Sequence, residues 1–418
     1  MNPRPNEPLN EISRREFVAK VAVNIGGLAL ASDSFALTSG QGTAAASRAG
    51  STPSVQRAVR RMNPPKLDRA YLGQRIHCYR PMRRGSPNLS VETQGKQLIA
   101  HNYGHGGSGW TLAPGSAAYV VGLAQQSAQG RSLAKDAPIT VVGAGVIGLF
   151  TAYELVKRGC TNVTVVADRF DGLTSHKAGG LLAPVSMDNA PAMQRIIDQI
   201  GVDAYRFFAS VAKGTNVDFA KGATICPAYF ENREESGLEP YVGQVMEPAK
   251  DVTLDFGNGT TRDMVVYDDG IFMEPAAMMQ SLRAYLEGKV TFAQRKVTNL
   301  ADLPAALVFN CTGLGARELQ RDQEMVSVQG HLIMLKDQVP ADLQSMVLVY
   351  YAKGKTVSGQ EAKRSFYIFP KRLPGSGAND IGVFGGTFIE GATPQTPNDE
   401  EFQIMIDGAK RFYGIPVS

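Results

Sequence analysis

Between Ile139 and Asp168 the chain carries a strand–turn–helix–strand pattern that leaves few folds open. Ile139-Thr140-Val141-Val142 is a short run of mostly β-branched residues, suited to a buried strand. It passes directly into Gly143-Ala144-Gly145-Val146-Ile147-Gly148. Leu149 to Arg158 then shows apolar residues at helical spacing, with Gly159 as a stop. A second strand, Val163-Thr164-Val165-Val166, leads to Asp168, twenty residues past the third glycine. Each glycine has a task in such a unit. Gly143 permits a tight turn, Gly145 lets the backbone approach a pyrophosphate, and Gly148 lets helix and strand pack closely. The N-terminus of that helix offers unpaired N–H groups and a positive dipole end to phosphate. Asp168 suits ribose hydroxyls. A glycine-rich packing turn would need neither the second strand nor the acid in register. The fold expected is α/β with a dinucleotide site, and this unit alone leaves NAD and FAD both open.

At 418 residues the chain suits two or three domains. An apolar fraction of 43% and a charged fraction of 20% are those of a globular protein with a sizeable core. The net charge of +4 is dispersed, with no block of like charges, which argues against nucleic acid as a partner. Cys78, Cys160, Cys226 and Cys311 show neither a C-x-x-C spacing nor a disulfide framework. Near the start, Ser13-Arg14-Arg15-Glu16-Phe17 precedes a weakly apolar run from Val21 to Ala31 and small residues up to Ala36. That order reads as a twin-arginine signal over residues 1–36, hence export to the periplasm or exterior by the twin-arginine machinery. Retention as a short basic amphipathic helix is the alternative. Residues 37–66 read as a flexible linker. No stretch of the sequence is apolar for long enough to span a bilayer.

A family resemblance rests on further strings. Val166-Ala167-Asp168-Arg169-Phe170, Thr174-Ser175 and Ala178-Gly179-Gly180-Leu181 resemble the FAD-binding stretch of D-amino-acid and D-aspartate oxidases. Gln294-Arg295-Lys296-Val297, Val308-Phe309-Asn310-Cys311-Thr312-Gly313, Leu319-Gln320-Arg321-Asp322, Gln329-Gly330 and Gly385-Gly386-Thr387-Phe388 are similar to later segments of that family. The family's glycine-rich string appears as Ile99-Ala100-His101-Asn102-Tyr103-Gly104-His105-Gly106-Gly107-Ser108-Gly109-Trp110-Thr111, and Tyr79-Arg80-Pro81-Met82-Arg83 resembles its arginine segment. In the family both lie near the C-terminus; here both precede the dinucleotide motif. The chain ends in a helical pattern, Glu400 to Tyr413, that in the family would lead into the arginine segment. The order implied is circularly permuted, with residues 127–137 bridging the usual termini.

The resemblance implies an FAD-dependent enzyme with a doubly wound, Rossmann-type FAD domain and an α+β substrate domain containing a mixed or antiparallel sheet. The first would comprise 67–125, 139–190, 291–325 and 378–418; the second, 191–290 and 326–377. It implies oxidative deamination of a D-amino acid with O2 and water to keto acid, ammonia and hydrogen peroxide, hydride leaving Cα for flavin N5. Arg80 would hold the substrate carboxylate bidentately and Tyr367 would donate to it. The Gly107 carbonyl would accept from the substrate amine. Cofactor contacts would come from Gly143, Gly145, Val146, Ile147, Gly148, Asp168, Arg169, Thr174, Ser175, Gly180, Leu181 and Val297, and from Gly106, Gly107, Ser108, Gly109, Trp110 and Thr111 beneath the flavin. A homodimer is compatible with this reading.

Three positions depart from the family. Lys363 stands where a second active-site tyrosine is usual, in a segment from Tyr350 to Phe366 expected to form a lid bearing Lys353, Lys355, Lys363 and Arg364. That cationic lid implies selection of acidic side chains, against the plainer reading of a solvated loop. Ser108 and Trp110 replace a usual Tyr and Leu. His101 and His105 have i, i+4 spacing, but the surrounding glycines argue against a helix and no metal is expected. Two alternatives stay open: an amino- or imino-acid dehydrogenase that passes electrons to a quinone or carrier, and a non-catalytic FAD-binding protein.

Overall fold

A computed structural model describes residues 57–417. The dinucleotide unit builds a six-stranded sheet in the order Thr291–Gln294, Val163–Ala167, Ile139–Val142, Leu307–Asn310, Gln97–Tyr103 and Asn88–Gln94. Pairing is parallel except at the last pair, where an antiparallel hairpin closes the edge. The chain first lays down the hairpin at one edge, and from Ile139–Val142 it moves outward through two strands on one side, then returns as Leu307–Asn310 on the other. A crevice opens at that reversal, beyond the carboxyl ends of the strands. Three helices pack together beside the sheet: α1 (Gly109–Gln126), α2 (Val146–Lys157) and α3 (Pro191–Ala212). α1 and α3 approach closely because Gly115 has no side chain; a Cβ there would lie 2.1 Å from the Ile200 carbonyl oxygen.

A nine-stranded mixed sheet forms the second layer. Its order is Ala58–Arg61, Lys250–Asp255, Thr261–Tyr267, Ala228–Phe230, Met346–Lys355, Glu361–Phe369, Val383–Glu390, Met325–Leu335 and Leu72–Arg83. Alternation along the strands gives the sheet two apolar faces. One, with Phe366, Phe384 and Ile333, is covered by α4 (Glu400–Tyr413) through Phe402, Met405, Ile406 and Phe412. The other, with Leu332, Leu348 and Phe369, joins the core that also holds α1 and α2. Among the described residues no helix is long and apolar enough to cross a membrane.

Three sequence expectations are corrected here. Residues 1–36 lie outside the described residues, but the linker expected over 37–66 does not persist to its end. Ala58–Arg61 is a strand parallel to Lys250–Asp255, held by Arg60 to Asp268 at 2.6 Å, and Leu67 is buried. Leu72–Arg83, Val383–Glu390 and α4, grouped above with the FAD domain, belong to the large sheet. The two strands pair there with Met325–Leu335, and the apolar side of α4 packs on the face of that sheet. The expected lid is a hairpin, Met346–Lys355 with Glu361–Phe369, whose register shifts between Tyr350 and Ala352 and in which Lys353 faces Lys363 across the ladder.

The hairpin is tied to α4 by a bidentate pair. Arg364 Nε and Nη2 donate to Glu401 Oε2 and Oε1 at 2.9 and 2.6 Å, with the Glu401 side chain fully buried. Removing one partner of a buried pair strands the other charge. Glu401→Ala is therefore expected to cost about 3–5 kcal/mol in urea unfolding; a loss below about 1 kcal/mol would show the pair to be dispensable.

Candidate active site

The cofactor cradle is made by backbone proximity. Gly143 has φ +113°, and a Cβ there would lie 2.4 Å from the Cys311 carbonyl oxygen, across the sheet reversal. A Cβ on Gly148 would lie 1.9 Å from the Gly143 carbonyl oxygen, so the first turn of α2 sits tight against the turn. Gly145 precedes α2, and its open side faces Ser175 Oγ at 3.2 Å from a would-be Cβ. The Val146 N–H donates to Ser175 Oγ at 2.9 Å. Asp168 and Arg169 are exposed just past the end of Val163–Ala167, and the Asp168 carbonyl accepts from Gln294 at 3.2 Å. Val297, half-buried, follows the neighbouring strand Thr291–Gln294 and packs with Val142 and Val308. These residues line the carboxyl edge where a dinucleotide lies in such folds.

Residues 174–186, a helical turn at Thr174–Lys177 followed by a loop, are held between three elements. From the glycine string, the Gly107 N–H donates to Ser186 O at 3.0 Å, and Ser108 Oγ to Val185 O at 2.6 Å. Trp110 Nε1 and Thr111 Oγ1 donate to Ser175 O and Ala183 O, each at 2.9 Å. The side chains of Ser108, Trp110 and Thr111 thus fasten the loop, a role the sequence did not suggest. Gly106 has φ +57° against Ser186 O, and Gly109 begins α1. From the core side, Gly180 has φ +115° and pairs with Met273, while Leu181 bridges Phe272. From the large sheet, Thr174 Oγ1 donates to Tyr79 O at 3.3 Å, and Lys371 Nζ to His176 O and Ala178 O at 3.2 and 2.5 Å. Burial pushes the Lys371 ammonium down to about 8.

Arg80 and Tyr367 meet on the sheet face that this loop covers. The Arg80 guanidinium lies against Gly330, where a Cβ would be 2.5 Å from Nη2, and Nη1 donates to Thr387 O at 2.8 Å. The Tyr367 ring stacks on Phe369 at 4.4 Å and 4°, and both rings touch the position of a Cβ on Gly179. Burial raises the Tyr367 hydroxyl, while the charge of Arg80 and a hydrogen bond with it pull the other way. Sequence reasoning missed Tyr350, which shares this face. Burial pushes its hydroxyl up to about 12, with Glu235 adding and Arg80 opposing. Lys363 is on the same face but exposed, its Nζ 5.2 Å from the Phe388 ring.

The two histidines part company. His101 lies within the strand Gln97–Tyr103, between Glu92 at 3.2 Å and Asn310 at 3.3 Å. His105 is buried and pushed down to about 4, and its Nε2 has no hydrogen-bond partner among the described residues. The glycine cradle and this buried nitrogen beside the loop suit a bulky, polar cofactor.

Residues 138–417 match the family model described as FAD dependent oxidoreductase, DAO. The chain belongs to that family. The D-amino-acid oxidase of Streptomyces coelicolor is 29% identical over 52% of this chain and 67% of its own. The human D-aspartate oxidase is 26% identical over 48% of this chain and 60% of its own. The chain thus spans about two thirds of the length of such curated relatives. Among solved structures, the glycine oxidase of Bacillus cereus is 15% identical, with a TM-score of 0.46 over 66% of this chain and 79% of its own. As a member of the DAO family this chain is an FAD-dependent oxidoreductase, and its described residues form an α/β fold with mixed sheets.

Proposed function

We propose that this DAO-family chain oxidatively deaminates a D-amino acid, consuming O2 and water and releasing keto acid, ammonia and hydrogen peroxide. The observation that carries the reading is the meeting of Arg80 with Tyr367 on the face covered by the Gly179–Gly180 loop. A guanidinium fork and a phenol in contact can hold a carboxylate from two directions. FAD, when bound, supplies the two-electron oxidant for the substrate's Cα–H and amine. Gly143, Gly145, Gly148 and the start of α2 would hold its pyrophosphate, Asp168 its ribose, and residues 174–181 with 106–111 its ring. Arg80 and Tyr367 fix the substrate's orientation, and the covering loop keeps water from the face they share. An orienting role of this kind needs no separate base, because the free amine can push electrons toward Cα as the hydrogen leaves.

The permuted order follows from the same reading. The family match begins at residue 138. The strand Gln97–Tyr103 and α1, which complete the FAD sheet, come from the chain before it. The twin-arginine string at Arg14-Arg15 supports export of the protein. The decisive experiment is oxygen uptake and peroxide release by the purified yellow protein on a panel of D- and L-amino acids. Peroxide stoichiometric with D-substrate is expected. Anaerobic bleaching without oxygen uptake would instead point to a dehydrogenase.

Within this reading, Lys363 biases the site toward acidic side chains, since its ammonium is exposed on the face that bears Arg80. Lys363→Ala is expected to lower the preference for D-aspartate over D-alanine by roughly three- to fivefold, the scale of an exposed charge pair. An unchanged ratio would remove the acidic preference.

A further inference from the structure

The Gly385-Gly386-Thr387 run interrupts the large sheet on both flanks. Pairing with Met325–Leu335 slips between Gln329 and Leu332, and pairing with Glu361–Phe369 slips between Arg364 and Tyr367. Gly386 adopts φ +140°, and a Cβ there would lie 2.5 Å from the Ser365 carbonyl oxygen, so glycine is required. A bulge frees backbone groups from the ladder and re-aims them. Here the freed group is the Thr387 carbonyl, which accepts from Arg80 Nη1 at 2.8 Å.

Thr387 is in turn held by His331, and both are buried. The His331 backbone N–H donates to Thr387 Oγ1 at 3.1 Å, and the ring Nδ1 lies 2.6 Å from the same oxygen. The ring Nε2 lies 2.9 Å from the Pro397 carbonyl oxygen. A carbonyl can only accept, so Nε2 carries the proton and Nδ1 accepts the Thr387 hydroxyl hydrogen. Pro397 O also accepts from Gln329 Nε2 at 3.0 Å. One chain of bonds therefore runs from the segment preceding α4, through His331 and Thr387, to the guanidinium.

We infer that Thr387, locked by His331, is a positioning residue that sets the Arg80 fork for carboxylate recognition. The inference rests on the carboxylate role proposed for Arg80. Binding one donor of the fork to a fixed carbonyl removes rotamer freedom before substrate arrives, and leaves the remaining donors for a carboxylate. A purely structural network would stabilise the sheet without touching substrate affinity.

The test uses the FAD-loaded protein, its flavin absorbance titrated with acetate as the simplest carboxylate, alongside steady-state kinetics. Thr387→Val should raise the acetate Kd and the amino-acid KM roughly tenfold, with kcat within about twofold, and Thr387→Ser should restore both. Arg80→Ala is the control. If it binds acetate as the unmodified protein does, the carboxylate reading itself fails. If it loses acetate while Thr387→Val keeps the original Kd and KM, the positioning role alone is overturned. Should Thr387→Val not retain FAD, His331→Gln carries the same expectation and the same failing outcome.

Discussion

Replacing Arg80 with methionine is expected to lower kcat/KM for the amino-acid substrate by about a thousandfold while leaving FAD bound. The guanidinium is half-buried, is seated against Gly330 and is near enough for its charge to act on the Tyr367 phenol, so that charge acts where water is scarce. A charge-assisted, two-pronged bond lost from such a place is worth about 4 kcal/mol, which converts to that factor. Methionine keeps the length and the apolar stem, so the strand and the cofactor cradle, built from other residues, should persist. Arg80→Lys keeps the charge but not the fork, and a loss of roughly ten- to a hundredfold is expected. Tyr367→Phe removes one donor and should cost about tenfold. Steady-state kinetics on the three variants, with flavin content measured in parallel, checks the ranking. An Arg80→Met enzyme within tenfold of the parent would remove the carboxylate role.

How much of this was legible in the sequence depends on how local the determining contacts are. Ile139–Val142 was read to its ends, because a four-residue run and the glycines after it define it. α2 starts at Val146 rather than Leu149, since its first turn is fixed by the backbone contact of Gly148 with Gly143, not by apolar spacing. Resemblance brought Arg80 and Tyr367 to attention, but their meeting depends on pairing between Leu72–Arg83 and a strand some 250 residues later, and no local pattern sets that register. Tyr350 and Tyr351 show why. They are adjacent and alike in sequence, yet Tyr350 faces Arg80 while Tyr351 packs with Phe366 under α4. One residue of register decides which is at the site. The hairpin from Met346 to Phe369 was hidden for a related reason: its lysines suggested a solvated loop, while Ala362, Phe366 and Ile368 alternate inward between them. Thr387 contributes a main-chain oxygen released by a bulge, and a carbonyl has no signature in the residue string.

A single methyl at Gly148 is expected to abolish FAD retention, the second of the large effects. Alanine is the better helix former by about 1 kcal/mol, so helix propensity alone predicts a more stable α2. Sterics decide otherwise. The added carbon would sit 1.9 Å from the Gly143 carbonyl oxygen and 2.9 Å from its carbon, well inside contact distance and against backbone that cannot rotate away. Relief requires the start of α2 to move by an ångström or more, or Gly143 to leave its turn. Either displaces the N–H groups aimed at the pyrophosphate, and the anion site depends on their convergence. Gly159→Ala provides the contrast. Gly159 ends the same helix at φ +84° with nothing near its would-be Cβ, so alanine there should cost only about 1–2 kcal/mol and leave the protein yellow. The ratio of absorbance at flavin and protein wavelengths, with melting temperature in the presence and absence of added FAD, reads both. Loss of flavin and of FAD-dependent stabilisation in Gly148→Ala alone would tie the effect to the cradle. Equal losses in both variants would tie it to α2 stability and would unseat Gly148 as the residue that brings the helix to the phosphate.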